Sequence, residues 1–497
     1  MIKDGKILLG KADDLEVFMR PEMMNRHGLI AGASGTGKTV TLKVIAESLS
    51  ELGVPTFIAD VKGDLSGMIV PGDQAGVQER LDSMGESFEV RKFPVHFFDV
   101  YREKGHPVRA VVEEMDPVLL SRILSLTEAQ RGVLNIIFKA AEEMDLDIID
   151  LKDLQAMTSY VGEHSKDYTV KYGNVSKQSV GAIQRKLLEL ESQEGDLLFG
   201  MPAVSIDDFL AAEGGMGVMN IMECQKLFLH PMLYATFLLW LLDKLYREMP
   251  EVGDLDKPKI VFFFDEAHLL FDDAPKELMD RIEQMVKLIR SKGVGIFFCT
   301  QSPTDIPDAV LAQLSNRIQH ALRAYTPKEI KAVEKAAESF RVNPDLDTSE
   351  TITSMKTGQA LVSVLDEEGA PTMVQKTKIM PPQSSMNIAD DDSIRRCIET
   401  DSIYGKYEKD IDPESAYEKM DDIYAEEAEL EAQEEEARKQ AKLEEQKAKE
   451  EAKAAAKKAE ENDWAARLSK KAKRRAENEL VNFGVRSAKK FLKNLLK

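Results

Sequence analysis

A glycine-rich turn between two apolar segments is the feature that most constrains the fold of this chain. The residues GASGTGKT, Gly32 to Thr39, follow the apolar run GLIAG and open the amphipathic run KTVTLKVIAESLSELG. Glycines let the backbone curl so that its N–H groups point to one side, where a helix N-terminus adds its dipole. This order predicts a strand, a phosphate-binding loop and a helix. A glycine-rich turn without a nucleotide is the weaker interpretation.

The turn supplies the predicted contacts to a nucleotide. Lys38 is placed to meet the β- and γ-phosphates, and the Thr39 hydroxyl is placed to bind Mg²⁺. ATP and Mg²⁺ are therefore the expected cofactors. The predicted nucleotide-binding residues are Gly32, Ala33, Ser34, Gly35, Thr36, Gly37, Lys38 and Thr39.

Short apolar runs alternate with longer amphipathic stretches between residue 29 and about residue 381. This alternation predicts an α/β fold with a mainly parallel sheet covered by helices. Continuous apolar runs such as IVFFF indicate strands buried on both faces. The predicted strands are residues 28–32, 55–61, 95–100, 217–221, 259–267, 295–301, 317–323 and 359–366.

An acid pair follows the most apolar of these runs, in KIVFFFDEAH. We expect Asp265 to reach Mg²⁺, directly or through water, and Glu266 to orient or deprotonate the attacking water. His268 completes the tetrapeptide Asp-Glu-Ala-His and is predicted to be a bystander. The same tetrapeptide gives its name to a family of RNA helicases, so RNA unwinding is one function that the sequence raises.

The strand after the acid pair ends in Gln301, where a polar side chain can sense the γ-phosphate or position water. An arginine finger is a further expected group, and we assign it to Arg317, with Arg290 and Arg323 as alternatives. Taken alone, each of these arginines is better explained as a surface or ion-pair arginine. In FIADVKGDLSG, Asp60 and Asp64 are predicted secondary contacts to water or metal.

Spacing argues against the RNA helicase function. Lys38 and Asp265 are 265 minus 38, or 227, residues apart, which is longer than the compact first domain of those helicases gives. Their Ser-Ala-Thr strand end is replaced by Cys299-Thr300-Gln301. The sequence also lacks a Gln-x-x-Gly-Arg-x-Gly-Arg motif, with which their second RecA-like domain closes.

The order of motifs resembles instead the HerA/FtsK superfamily of P-loop ATPases, and within it the bacterial YjgR-like HerA homologues. The matching segments are NRHGLIAGASGTGKTVT, FIADVKGDLSG, VFFFDEAHLLF and LIRSKGVGIFFCTQSPTDIPDAVLAQLSNRIQHALRA. The resemblance as a whole covers roughly residues 10 to 410. The resemblance implies a RecA-like core, a hexamer, and ATP hydrolysis coupled to DNA movement or remodelling. It also implies that Lys38 and Thr39 bind nucleotide and metal, Asp265 and Glu266 are the acid pair, and Gln301 is the sensor.

The chain departs from the archaeal members in having only about 28 residues before the phosphate loop. These are too few for the N-terminal β-barrel that docks a nuclease in that group, so a nuclease partner is not favoured. The membrane segments and the DNA-reading winged helix of FtsK are also not recognisable in the sequence.

Composition changes along the chain and predicts its domains. The predicted domains are an ATPase domain at 1–385, with a mostly helical insertion at about 103–250, a linker at 386–424, an Ala/Glu/Lys-rich helix at 425–462 and a basic amphipathic tail at 463–497. The charged helix contains i,i+4 acid–base pairs, and its two leucines do not form a heptad seam, which favours a solvated helix over a coiled coil. The tail, with Phe491, Leu492, Leu495 and Leu496 on one face, is compatible with a protein, DNA or an anionic membrane.

The net charge is −21, and 43% of the 497 residues are hydrophobic. Acid is concentrated in places such as the C-terminal run EEAELEAQEEEARKQ, so the net charge does not exclude a local basic lining for DNA. Three separated cysteines, no export signal and an apolar run broken by Asp243 and Lys244 predict a cytoplasmic protein. Two functions remain open: a DNA motor, and an ATP-dependent switch or scaffold that acts on a protein or membrane partner without DNA.

Overall fold

The predicted strands join a sheet of 13 strands in the computed structural model, which describes residues 1–253, 255–271, 276–460 and 487. The strands of the described ranges are β1 (Ile2–Lys3), β2 (Lys6–Ala12), β3 (Leu15–Met19), β4 (Gly28–Ala31), β5 (Thr56–Asp60), β6 (Val95–Asp99), β7 (His106–Pro107), β8 (Ala212–Glu213), β9 (Met216–Gly217), β10 (Met219–Glu223), β11 (Ile260–Phe264), β12 (Val294–Thr300), β13 (Asn316–His320), β14 (Gln359–Ser363) and β15 (Gln375–Ile379). A strand lies in each of the eight predicted segments.

The α-helices cover most of the amphipathic stretches between these strands. In the described ranges they are α1 (Lys38–Glu51), α2 (Gln74–Asp82), α3 (Pro117–Ile123), α4 (Glu128–Met144), α5 (Leu151–Glu163), α6 (Ser165–Tyr172), α7 (Lys177–Ser192), α8 (Ile206–Phe209), α9 (Pro231–Glu248), α10 (Lys276–Ile289), α11 (Asp308–Leu311), α12 (Pro327–Glu338), α13 (Thr348–Ser354), α14 (Asp391–Thr400) and α15 (Ala416–Glu460).

The sheet is parallel in its centre and antiparallel at one end. The strand order is β1-β2-β15-β14-β13-β4-β12-β11-β5-β10-β6-β7, and β3 pairs with β2. All pairs from β13 to β7 are parallel, whereas the pairs among β13, β14, β15, β2, β1 and β3 are antiparallel. The predicted α/β fold with a mainly parallel sheet is therefore confirmed, and the antiparallel extension is an addition to it.

Helices cover both faces of the parallel part. On one face, Ile58 and Phe263 share a buried core with Leu42 and Ile45 of α1. On the other face, the Phe57 ring stacks on that of Phe262, with 5.1 Å between centroids, and α8 and α9 pack over them. Alternation of side chains along buried strands accounts for this two-sided burial.

The apolar run that begins at Leu233 lies in α9. Its central residues are buried, and Phe237 contacts Phe57 of the sheet. Within the described ranges, no helix combines the length and apolarity needed to cross a bilayer. The helices α3, α4, α5 and α7 pack on one another inside the predicted insertion.

The chain divides into two compact units, Met1–Tyr417 and Glu418–Lys497. The predicted linker at 386–424 contains α14 and the start of α15. In the second unit the predicted pairs are formed, with Lys439 Nζ 2.8 Å from Glu435 Oε1 and Lys449 Nζ 2.5 Å from Glu445 Oε1. The predicted apolar face at Phe491 to Leu496 lies outside the described residues. The domain boundaries stay predictions.

Candidate nucleotide-binding and catalytic site

Four neighbouring parallel strands end at one edge of the sheet and bring the predicted site residues together. In the order β4-β12-β11-β5, Ala31 pairs with Thr300, Phe298 with Phe264, and Phe264 with Ala59. The residues that follow these pairs are the glycine-rich loop, Gln301, the acid pair and Asp60. Carboxyl ends of parallel strands are where α/β sheets bind ligands.

The glycine-rich loop is fixed by backbone hydrogen bonds at both ends. The N–H of Gly32 donates to the Thr300 carbonyl at 3.1 Å, and the N–H of Ala33 donates to Ala321 at 2.9 Å. On the far side of the loop, the N–H of Gly358 donates to Thr36 at 3.0 Å. Gly35 and Gly37 have φ angles of 73° and 115°, which favour glycine. Ser34 is exposed at the tip of the loop.

Lys38 begins α1 and folds back over the loop. Its Nζ donates to the carbonyls of Gly32 at 2.6 Å and Ala33 at 3.3 Å. Burial, reinforced by the charge of Lys62, lowers the pKa of Lys38. An ammonium held beside a glycine-rich loop, at the N-terminus of a helix, is suited to binding phosphate oxygens.

A buried histidine, His320, lies against the glycine-rich loop and bonds α1. His320 Nδ1 lies 3.0 Å from the Gln359 carbonyl, so this nitrogen donates, and Nε2 lies 2.8 Å from Thr41 Oγ1 on α1 and accepts. Burial lowers the pKa of His320 to about 4, which keeps the ring neutral at physiological pH. No motif in the sequence marks this residue, because its role depends on contact between β13 and α1.

The acid pair stands directly after β11, and both carboxylates are largely buried. Asp265 and Glu266 are each 6% exposed. Burial is the main cause of the raised pKa of Asp265. Glu266 has a φ of 46°, in the left-handed region that non-glycine residues rarely adopt. Such strain is concentrated at functional positions.

Glu266 contacts two side chains from neighbouring strand ends. Its Oε1 lies 2.6 Å from Lys62 Nζ, and its Oε2 accepts from Gln301 Nε2 at 3.3 Å. Burial alone would raise the pKa of Glu266, but the hydrogen bond and charge of Lys62, with the Gln301 bond, lower it overall. The predicted sensor is thus adjacent to the predicted catalytic acid. His268 Nδ1 also lies 3.3 Å from Glu266 Oε2, although its predicted part is that of a bystander.

The two secondary acids have different surroundings. Asp60 accepts backbone N–H groups from Lys62, Gly63 and Leu65 at 3.2, 2.7 and 3.0 Å, and burial raises its pKa to about 7. These contacts give Asp60 a structural role in the turn. Asp64 Oδ2 accepts from Thr39 Oγ1 at 3.4 Å, so Asp64 faces the predicted metal-binding hydroxyl.

Two of the three candidate arginines, Arg317 and Arg323, donate to backbone carbonyls outside this cluster, and Arg290 lies directly after α10. Arg317 pairs in register with Leu29 at the start of β4, and it donates to the carbonyls of Leu311, Leu314 and Ser339 at 3.1 to 3.2 Å. This use of the guanidinium fits a role in holding the local fold. Arg323 is exposed and donates to the Thr353 carbonyl at 3.0 Å. The assignment of a finger to Arg317 stays a prediction, and its contacts give it no support.

The fold and this arrangement of loop, lysine and acid pair define a P-loop ATPase with a RecA-like core. The model of the family described as helicase HerA-like C-terminal matches residues 6–495. The chain belongs to this family, as its motifs indicate.

Curated relatives agree with this placement. A protein of Sulfurisphaera tokodaii, a DNA double-strand break repair helicase HerA, is 20% identical over 372 residues, which cover 73% of this chain and 67% of that protein. The protein of the same description from Sulfolobus acidocaldarius is 20% identical over 367 residues, which cover 72% of this chain and 66% of that protein. The chain thus spans about two thirds of the length of these relatives.

The fold is also found in solved structures. The plasmid coupling protein TrwB, in complex with the ATP analogue ADPNP, superposes with a TM-score of 0.53 at 14% identity, covering 79% of this chain and 92% of that chain. VirB4 of Thermoanaerobacter pseudethanolicus gives a TM-score of 0.50 at 16% identity, covering 76% of this chain and 97% of that chain. These likenesses are at the level of the fold.

Proposed function

We propose that the chain is an ATP-hydrolysing motor of the HerA/FtsK type that forms a ring, expected to be a hexamer, and translocates or remodels DNA. The observation that carries the proposal is the convergence of the glycine-rich loop, Lys38, the acid pair and Gln301 at one edge of the sheet. The description of the curated relatives as DNA repair helicases supports DNA as the substrate.

Each residue has a distinct part in hydrolysis. The loop N–H groups and Lys38 bind and orient the phosphates. Glu266 accepts the proton of the attacking water, and Gln301 helps to position that water beside the carboxylate. Mg²⁺, when bound, neutralises phosphate charge as a Lewis acid.

The residues around Thr39 fit Mg²⁺. Thr39 Oγ1 and Asp64 Oδ2 face each other, and the buried Asp64 Oδ1 has no hydrogen-bond partner in the described part of the chain. Such an oxygen suits a hard cation. In the described ranges no group of three or more His, Cys, Asp or Glu side chains is placed to bind a metal. Thr39 and Asp265 are the proposed ligands, with Asp64 beside them.

The second candidate is an ATP-dependent assembly switch or scaffold that acts on a protein or membrane partner without DNA. It is favoured by the net charge of −21 and by the acid-rich part of α15 between 425 and 450, where almost every described side chain is exposed. Acidic surfaces repel DNA phosphates. This candidate predicts nucleotide hydrolysis that does not respond to DNA.

ATP hydrolysis measured with and without double-stranded and single-stranded DNA at low salt separates the two candidates. For the motor we expect DNA to bind and to raise the rate. Lys38→Ala and Glu266→Gln should each lower the rate by roughly 100-fold or more, because each removes a group that acts on the transition state. Lys139→Ala, which removes an exposed lysine of α4, is the matched control and should not change the rate.

DNA that neither binds nor changes the rate would contradict the motor and favour the switch. Normal hydrolysis by Lys38→Ala would contradict the site itself. Mass measurement with a non-hydrolysed ATP analogue tests the ring, and a persistent monomer would leave a trans arginine without a target.

A further inference from the structure

A second lysine stands beside the catalytic acids, on the turn that follows β5. The strands β5 and β11 are neighbours, with Ala59 opposite Phe264, so the residues after their ends meet. Lys62 Nζ lies 2.6 Å from Glu266 Oε1 and 3.6 Å from Asp265 Oδ2. Neither the glycine-rich loop nor the acid pair includes this lysine.

The backbone that carries Lys62 is held tightly. The Asp60 carboxylate accepts three N–H groups of the turn, and Gln225 Nε2 donates to the Lys62 carbonyl at 2.6 Å. Gly63 has a φ of +70°, and a Cβ there would come 2.3 Å from Gln225 Nε2. The turn therefore presents residue 62 from a fixed position next to the acid pair.

The side chain of Lys62 is freer than its partners. It is 38% exposed, whereas the side chains of Asp265 and Glu266 are each 8% exposed. A lysine carries a point charge on a flexible four-carbon stem, so it can exchange one anionic partner for another within reach. The acids, in contrast, are fixed at the end of a buried strand.

Both oxygens of Glu266 are engaged in this arrangement, Oε1 by Lys62 and Oε2 by Gln301. An oxygen that accepts a charge-assisted hydrogen bond from an ammonium is poorly placed to take a proton from water. Glu266 Oε1 therefore becomes available when the Lys62 ammonium exchanges this carboxylate for another anion. The same turn reaches the phosphate side of the site, because Asp64 accepts from Thr39.

We propose that Lys62 pairs with Glu266 before ATP binds and transfers to the terminal phosphate of bound ATP, which frees Glu266 to act on water. This inference rests on the proposed ATPase site and describes its regulation. In the step that follows, the water oxygen bonds to the terminal phosphorus and its proton passes to Glu266. The bond from that phosphorus to the bridging oxygen breaks, and ADP leaves with the electron pair.

The transfer predicts that Lys62 distinguishes ATP from ADP, because only ATP offers the terminal phosphate. The test measures dissociation constants for ADP and for a non-hydrolysed ATP analogue, together with kcat and KM, in the absence of DNA. The variants are Lys62→Gln, Lys62→Arg and, as control, Lys139→Gln. Thermal unfolding of each variant checks that it folds.

For Lys62→Gln we expect ADP affinity within about twofold of the wild type, analogue affinity about tenfold lower and kcat at least tenfold lower, as for loss of one charged hydrogen bond. Lys62→Arg keeps the charge and should recover part of both losses while leaving ADP affinity unchanged. Lys139→Gln should match the wild type. If Lys62→Gln does not fold, Lys62→Arg still tests the inference. For this variant we expect a smaller loss of affinity, confined to the ATP analogue.

Equal losses for ADP and for the analogue would overturn the inference, because a merely structural lysine affects both. Unchanged constants and kcat in Lys62→Gln would overturn it as well. These failures are distinct from failure of the proposed function. If the wild-type protein hydrolyses ATP without any response to DNA, the motor function is contradicted and the inference about Lys62 is not. If Lys62→Gln is stimulated by DNA and has normal kinetic constants, only the role of Lys62 is contradicted.

Discussion

Gly32 shows, at the scale of single residues, how closely the phosphate loop is packed. A Cβ at this position would lie 2.5 Å from the Cβ of His320 and 3.2 Å from its Cα. Neither atom can move away without displacing β13, which pairs with β4. The same histidine bonds Thr41, so the loop, its helix and the neighbouring strand share one buried contact.

The substitution Gly32→Ala should therefore lower both stability and nucleotide affinity. We expect a loss of about 1–3 kcal/mol, typical of overpacking in a tight core, and at least tenfold weaker binding of ATP. Thermal unfolding and nucleotide titration measure the two effects. Gly132→Ala in α4, where a Cβ meets nothing within 4 Å, is the control and should be neutral or stabilising by up to about 1 kcal/mol. Wild-type affinity in Gly32→Ala would contradict the packing argument.

At the scale of elements, β7 is joined to the segment 401–410 by a buried histidine between two acids. His106 Nε2 lies 2.7 Å from Asp401 Oδ2, and its Nδ1 lies 2.6 Å from Glu408 Oε1. Arg109, three residues further on, donates to the Tyr407 carbonyl at 2.8 Å and pairs with Asp410. Burial alone would lower the pKa of His106, but the two carboxylates raise it overall.

This contact should make stability depend on pH. Because the folded pKa of His106 is above its unfolded value of about 6.5, the stabilisation is fully present below that pH and is lost as pH rises through the folded pKa. We expect the difference in thermal midpoint between wild type and His106→Gln to be largest near pH 6 and to shrink towards pH 9. His230→Gln, a histidine outside this contact, is the control. A difference that grows with pH would have the wrong sign for this pairing.

At the scale of the whole molecule, all the site residues described above lie within the unit Met1–Tyr417. The second unit, from Glu418, contributes none of the described residues at the nucleotide site. Its described part is the remainder of α15, whose ion pairs of i,i+4 spacing are exposed and each contribute little stability.

A chain that ends at Ala425, which keeps the buried Met420, should fold and hydrolyse ATP without the rest of the second unit. We expect its thermal midpoint to stay within a few degrees of the full-length value, since ~1 kcal/mol corresponds to only about 2–4 °C in domains of 150–250 residues. Its DNA-independent rate should stay within about twofold, and it should still be abolished by Lys38→Ala. DNA stimulation lost on truncation would assign DNA contact to the tail. Loss of basal hydrolysis would instead show that the second unit belongs to the ATPase.

Much of the core could be predicted because buried parallel strands are continuous apolar runs. The strands β4, β5, β11 and β12 all lie in such runs, and the glycine-rich loop and acid pair follow two of them directly. The strands β1, β2, β3 and β15 escaped prediction because they contain charged residues and are antiparallel, with partly exposed faces. The pairing of β15 with β2 also joins residues more than 350 positions apart, such as Lys11 with Lys378.

The sequence by itself determined the class of site, since the glycine loop, Lys38, Thr39, Asp265, Glu266 and Gln301 are recognisable from local patterns and their order. Only the tertiary structure decided how these groups are coupled. It placed Lys62 next to Glu266 and engaged Arg317 with backbone carbonyls. It also directed the Asp60 carboxylate to backbone N–H groups of its own turn. Local patterns indicate which functional groups follow each strand. Ion pairs and supporting contacts depend instead on which strands become neighbours in the sheet, and the order of the strands follows from packing of the whole chain.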